Sequence, residues 1–146
     1  MNWSIVLIHN GHQKYLRYNL DLLSRLIPDS DIFLAGNDSN KEIAEEFGQC
    51  IWVSIDTLVA ADTSYEAFVQ NYKHFSINHL RYERFCFERW FILLNLAKHY
   101  RLQNFLYLDT DNFLLTPPAV LLDEYPDFHY GQTIDPGAPE FLFFSK

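Results

Sequence analysis

The chain has 146 residues, 49% hydrophobic and 17% aromatic. That suits one domain with a proper core and is too apolar for a disordered chain. A formal net charge of −8 leaves no basic stripe to neutralise a phosphate backbone, which argues against nucleic acid as a partner. Cys50 and Cys86 show no metal-ligand spacing and read as free thiols of a reducing compartment. No run approaches the ~20 apolar residues of a transmembrane helix, and the N-terminus has no basic leader. The expected location is therefore cytoplasmic, with a substrate at the inner membrane face left open.

Trp3 to Ile8 is an apolar run closed by His9-Asn10-Gly11, the pattern of a buried strand and turn. Tyr15 to Ile27 repeats apolar residues at helical spacing until Pro28 stops it. Ile32 to Ala35 reads as a second strand, and Ser39 or Asn40 can cap a short helix over Lys41 to Phe47. Ile51 to Ile55 reads as a third strand, and Asp62 to Tyr72 as a helix. His74, Ser76, Asn78 and His79 lie in a solvated loop with an Asn or Ser cap, before a long helix over Tyr82 to Arg101. Phe105 to Leu108 is a fourth strand. The chain is expected to be irregular after Pro117-Pro118 and to end in an apolar run, Phe141 to Phe144.

Strands alternating with helices imply βαβ units in a single α/β domain over residues 1–146, a three-layer sandwich around a mostly parallel sheet. Ligands of such sheets bind outside the carboxyl ends of the strands. Here those ends carry His9-Asn10-Gly11, Asn37-Asp38-Ser39 and Asp109-Thr110-Asp111. In the long helix, Arg84, Glu88, Asn95, Lys98 and His99 share a polar face at about 100° per residue. Arg89 falls on the opposite, apolar arc with Phe85, Ile92, Leu96 and Tyr100. A buried guanidinium needs an anion, so Arg89 is expected to pair with a carboxylate inside the fold, an aspartate of the pair or a donor phosphate.

Asp109 and Asp111 carry the main functional signal. They end the apolar run Phe105-Leu106-Tyr107-Leu108, where two carboxylates one residue apart repel unless a cation relieves them. A hard divalent ion, Mn²⁺ or Mg²⁺, takes oxygen ligands and keeps positions open for phosphate oxygens.

The run Tyr107-Leu108-Asp109-Thr110-Asp111, after a strand and a long aromatic helix, resembles the DxD motif of GT-A-fold glycosyltransferases. The order of strands and helices is similar to the donor-binding half of that Rossmann-like architecture. The resemblance implies a metal-dependent transfer of a sugar from a nucleotide-diphosphate donor to an acceptor hydroxyl on a saccharide or lipid-linked acceptor. It implies that Asp109 contacts the donor ribose or the metal and that Asp111 ligates the metal. His9, Asn10 and Gly11 would border the nucleotide, and Asn37 and Asp38 the base or ribose. Asp135, or else Glu140, is the late carboxylate available as a catalytic base. Such enzymes usually run on well past the DxD, so a truncated or non-catalytic nucleotide-sugar-binding domain is an alternative. A haloacid-dehalogenase-type phosphatase, with Asp109 as nucleophile, is another.

Overall fold

Residues 3–122, 130–132 and 141–144 are described by the computed structural model. The elements run β1 (Ser4–His9), α1 (Lys14–Leu26), β2 (Ile32–Gly36), α2 (Asp38–Glu45), β3 (Cys50–Ser54) and α3 (Ile55–Val59). They continue with α4 (Thr63–Asn71), α5 (Leu80–Tyr100), β4 (Phe105–Leu108), α6 (Pro118–Leu122), β5 (Tyr130–Gln132) and β6 (Phe141–Phe144). The strands form one sheet in the order β3-β2-β1-β4-β6-β5. β1 to β4 are mutually parallel, and β6 runs antiparallel to both β4 and β5. The expected mostly parallel α/β sandwich is therefore present.

Alternation along the strands builds two cores, one on each face. Ile5, Leu7, Ile32, Leu34, Leu106 and Leu108 pack with Leu16, Leu20 and Leu23 of α1 and with Ile43 and Ala44 of α2. Val6, Ile8, Phe33, Ala35, Phe105 and Tyr107 pack with Ile92, Leu93 and Leu96 of α5. β1 lies between β2 and β4 and has no exposed side, as its unbroken apolar run requires.

Several boundaries differ from the sequence reading. α2 starts at Asp38 and not at Lys41, because the cap is Asn37: its N–H donates to Asn40 Oδ1 (3.2 Å), and Ser39 Oγ donates to Asn37 Oδ1 (2.8 Å). Ile55, expected at the end of a strand, opens α3, whose first turn is capped by Ser54 Oγ. His79, not an Asn or Ser, caps α5 by accepting from the Arg81 N–H at 3.3 Å. After Pro117 the chain forms α6, with Pro118 at the first helical position where a missing N–H costs nothing. β5 was not anticipated.

Glu88 leaves the expected polar face and is buried. The reason is α4, which lies against α5 through Tyr65, Phe68, Phe87 and Phe91 and covers that side. Glu88 is compensated there by Arg84 Nε at 2.8 Å, an ion pair, and by the Tyr65 hydroxyl at 3.4 Å.

Gly36 sits where β2 passes beneath the Asn40 side chain. A Cβ at Gly36 would lie 2.6 Å from Asn40 Oδ1, so the amide would have to leave its place. Gly36→Ala is expected to cost about 1–3 kcal/mol through this overpacking, read as a lower urea midpoint with unchanged far-ultraviolet circular dichroism.

Candidate functional site

The register brings the polar strand ends together. His9 pairs with Gly36, and Leu7 with Leu108. The loops after β1, β2 and β4 are therefore neighbours along one edge. Between β1 and β4 the strand order reverses direction, the position at which open α/β sheets leave a crevice for ligands.

Gly11 has φ +105°, a conformation that glycine adopts without strain. Its carbonyl accepts from Asn40 Nδ2 at 2.7 Å. Asn40 is fully buried and so ties the loop after β1 to the start of α2. Asn10 and Asp38 are exposed on this rim, and Asn37 is half-buried within its cap.

Tyr107 faces the α5 side of the sheet, and continuing the alternation puts Asp109 on that side too. Asp109 Oδ1 accepts from Arg89 at 2.8 Å and from the Tyr107 hydroxyl at 2.7 Å. Arg89 Nη1 is also 3.4 Å from the Tyr107 oxygen. Arg89 thus has the carboxylate partner its place on the apolar arc requires. Burial works against its charge, but Tyr107 and Asp109 outweigh it and leave its pKa raised. Burial, helped by Asp109, pushes the Tyr107 phenol well above its usual range and keeps it a proton donor. The guanidinium also lies over the Trp90 ring, 5.1 Å from its centroid.

Thr110 points the other way, toward α1. Its Oγ1 is 2.8 Å from His9 Nδ1. Asn19 of α1 donates from Nδ2 to the carbonyls of Thr110 (2.8 Å) and Asn112 (3.0 Å). Asn19 is fully buried, and its Oδ1 has no partner among the described residues. An unpaired buried acceptor of this kind costs about 1–3 kcal/mol. The sequence reading missed Asn19, although it lies three residues from Leu16 and four from Leu23, inside the apolar stripe.

Asp111 is exposed, at the tip of the turn closed by the Asn112 N–H to the Asp109 carbonyl (3.0 Å). His9, expected at the nucleotide, has a buried ring set edge-on to Tyr15, which leaves its backbone and not its imidazole at the rim. Burial lowers the His9 pKa below its ordinary 6.5, Asp111 pulls it back up, and His12 adds to the fall. Asp135 and Glu140 lie outside the described residues.

α5 runs back along the sheet, so its N-terminal half projects past the strand ends. Leu80 lies about 13 Å beyond Arg89 along the helix, at 1.5 Å per residue. Tyr82, Cys86 and Arg89 follow each other at helical spacing on this overhang. The Tyr82 phenol is raised first by Cys86, and Asp109 adds to the shift.

A buried imidazole that resists protonation contributes stability that is present above its unfolded pKa and lost as the pH falls, because the unfolded chain takes up the proton first. The urea midpoint should therefore fall between pH 7.5 and about pH 5.5 by more in the parent protein than in His9→Gln. Equal falls would show that His9 is not the linked group. Arg89→Leu removes the counter-charge of a largely buried carboxylate. It is expected to cost about 2 kcal/mol in the same assay, less than a fully buried pair because Asp109 keeps some solvent contact.

No protein-family model and no curated protein matches the sequence. Solved structures do match. Mouse xyloside xylosyltransferase 1 in its apo form superposes with a TM-score of 0.63 at 15% identity, over 92% of this chain and 53% of that one. The galactosyltransferase LgtC, in complex with donor and acceptor sugar analogs, gives 0.54 at 15% identity, over 97% and 57%. Its active-site mutant Q189E gives 0.55 at 17% identity with the same coverage. The chain spans little more than half the length of these proteins. With its sheet order and its two flanking helical layers, it has the GT-A fold of these glycosyltransferases.

Proposed function

We propose that this chain binds a nucleotide-diphosphate sugar together with Mn²⁺ or Mg²⁺ at the edge formed by β1, β2 and β4. In this reading it is the donor side of a glycosyltransferase that passes the sugar to an acceptor hydroxyl on a saccharide or lipid-linked acceptor. The observation that carries the reading is the position of the Asp109–Asp111 turn. It follows β4, beside β1, at the reversal of strand order in a GT-A fold.

The two carboxylates suit a hard cation, with one qualification. Asp109 Oδ1 is already committed to Arg89 and Tyr107, whereas Asp111 is exposed. No group of three or more His, Cys, Asp or Glu among the described residues is placed to hold a metal. The donor set fits an ion taken up jointly with a diphosphate, whose oxygens and water complete the shell, and not a closed protein cage. Asp111 is the principal ligand in this reading. The second oxygen of Asp109 is left to the ion or to a donor hydroxyl. When bound, the cation stabilises the charge that develops on the leaving diphosphate.

The protein's own part is positioning. Gly11, held by Asn40, shapes the loop against which the nucleotide lies, and Asn10, Asn37 and Asp38 offer polar groups to base or ribose. Arg89 fixes the Asp109 carboxylate by an ion pair without adding net charge to the rim. With a chain about half the length of the matched transferases, binding without turnover is the second reading. Among the described residues no helix is long and apolar enough to cross a membrane.

Titration with UDP, GDP and their sugars, with and without Mn²⁺ and followed by tryptophan fluorescence, tests the site. Metal-dependent binding of at least one nucleotide is expected. Asp111→Asn should weaken it by tenfold or more. Asp29→Asn, in the turn between α1 and β2 at the opposite end of the sheet, should leave it unchanged. Failure of every nucleotide to bind with metal refutes the reading. Release of UDP or GDP from a sugar donor separates transfer or hydrolysis from binding alone.

A further inference from the structure

We infer that Asn19 is a positioning residue for Asp111, one that sets the affinity of the site for a divalent cation through the backbone of the Asp109–Asn112 turn. The inference rests on the donor-site reading above and adds a residue to it from outside the rim.

The turn closes through the Asn112 N–H to the Asp109 carbonyl at 3.0 Å. Asp111 is exposed at its tip, and its carboxylate position depends on the peptides on either side. The first of those peptides carries the Thr110 carbonyl and the peptide after the second carries the Asn112 carbonyl, and a single amide, Asn19 Nδ2, donates to both. The two donor hydrogens of that amide are thus spent on the residues flanking Asp111. On the same side His9 Nδ1 meets Thr110 Oγ1, so the threonine is held at its carbonyl and its side chain. Asp109 is held from the opposite face by Arg89 and Tyr107. Among the described residues no such side-chain clasp holds Asp111, and backbone fixation of its neighbours takes its place.

Packing alone does not account for an amide here. Asn19 belongs to the apolar stripe of α1 with Leu16, Leu20 and Leu23, and its Oδ1 is buried with no partner among the described residues. A leucine has the same branching at Cγ and, although larger, would match the apolar neighbours. What it would not do is donate to the carbonyls of the two residues that flank Asp111. Groups that orient a metal ligand from behind typically change metal affinity by about 10–100-fold when removed.

The test compares Asn19→Leu and Asn19→Asp with the parent protein. The first removes the donors and keeps the apolar packing. The second keeps the shape and replaces the donating amide by a carboxylate facing two carbonyls. Mn²⁺ binding in the presence of UDP or GDP is read from the loss of the free-ion electron paramagnetic resonance signal. Urea unfolding is measured beside it to separate folding from binding.

A rise of about tenfold or more in the Mn²⁺ dissociation constant is expected in whichever variant remains folded. In an Asp111→Asn background the same substitutions should add no further weakening. A folded variant that binds Mn²⁺ and nucleotide like the parent, or one whose effect adds in full to that of Asp111→Asn, overturns the proposal. So does instability of both variants when Asn19→Ser, which leaves room for a water, folds and binds normally. If the parent protein itself shows no Mn²⁺-dependent nucleotide binding, the donor-site reading has failed, and this inference falls with it.

Discussion

A single oxygen atom, Oδ1 of Asp109, accepts from both Arg89 and Tyr107. Sheet and longest helix meet in that contact. Tyr107 belongs to the strand core, and Arg89 to the middle of α5. A guanidinium this deep needs an anion, and a carboxylate following a buried strand needs a cation or donors. Each side chain supplies what the other lacks. The pairing also favours one register of α5 against the strand ends, because moving the helix by one turn would part the two charges and leave Asp109 with the Tyr107 hydroxyl.

The consequence for charge is asymmetric. Of two aspartates one residue apart, one is compensated inside the protein and the other faces solvent. The turn therefore carries about one uncompensated negative charge instead of two. A free divalent ion is held weakly by such a turn. A metal–diphosphate complex gains contacts beyond that charge. The alternation of β4 carries on to Asp109 and sends it toward α5 with Tyr107, and the turn closed by the Asn112 N–H to the Asp109 carbonyl then ends that alternation and leaves Asp111 exposed.

Much of this was legible in the sequence. The strand runs are continuous and apolar because β1, β2 and β4 are covered on both faces, and their ends show as abrupt changes to Asn, Gly and Asp. Arg89 betrayed its partner by standing among apolar neighbours. Asn19 gave the same signal and was passed over, since asparagine in an amphipathic helix is easily assigned to the wet face. Glu88 was hidden for a different reason. Its burial depends on α4 crossing α5, and helical periodicity does not reveal which second helix will cover a polar face. The start of α2 at Asp38, capped by Asn37, depended on a reciprocal cap formed with Asn40, a local geometry that competes with equally plausible caps two or three residues on. The DxD spacing, finally, could not tell which of its two acids is already satisfied.

The overhang of α5 divides that helix into two parts with different support. All of its buried residues, Glu88, Ile92, Leu93 and Leu96, lie in the part from residue 88 onward. From Leu80 to Phe87 only Phe85 is placed against the sheet core among the described residues, while Phe87 meets Phe68 and Tyr72 of the α4 region and Glu83 accepts from the Tyr72 hydroxyl. Local opening follows the density of buried contacts, so the two parts do not unfold with equal ease. The first half of α5 and α4 are joined to the better buried half through Asp62 with Asn95, Tyr65 with Glu88 and Phe68 with Phe91. The Asp109–Asp111 edge meets α5 at Arg89, where the sparsely buried first turns give way to the buried half of the helix.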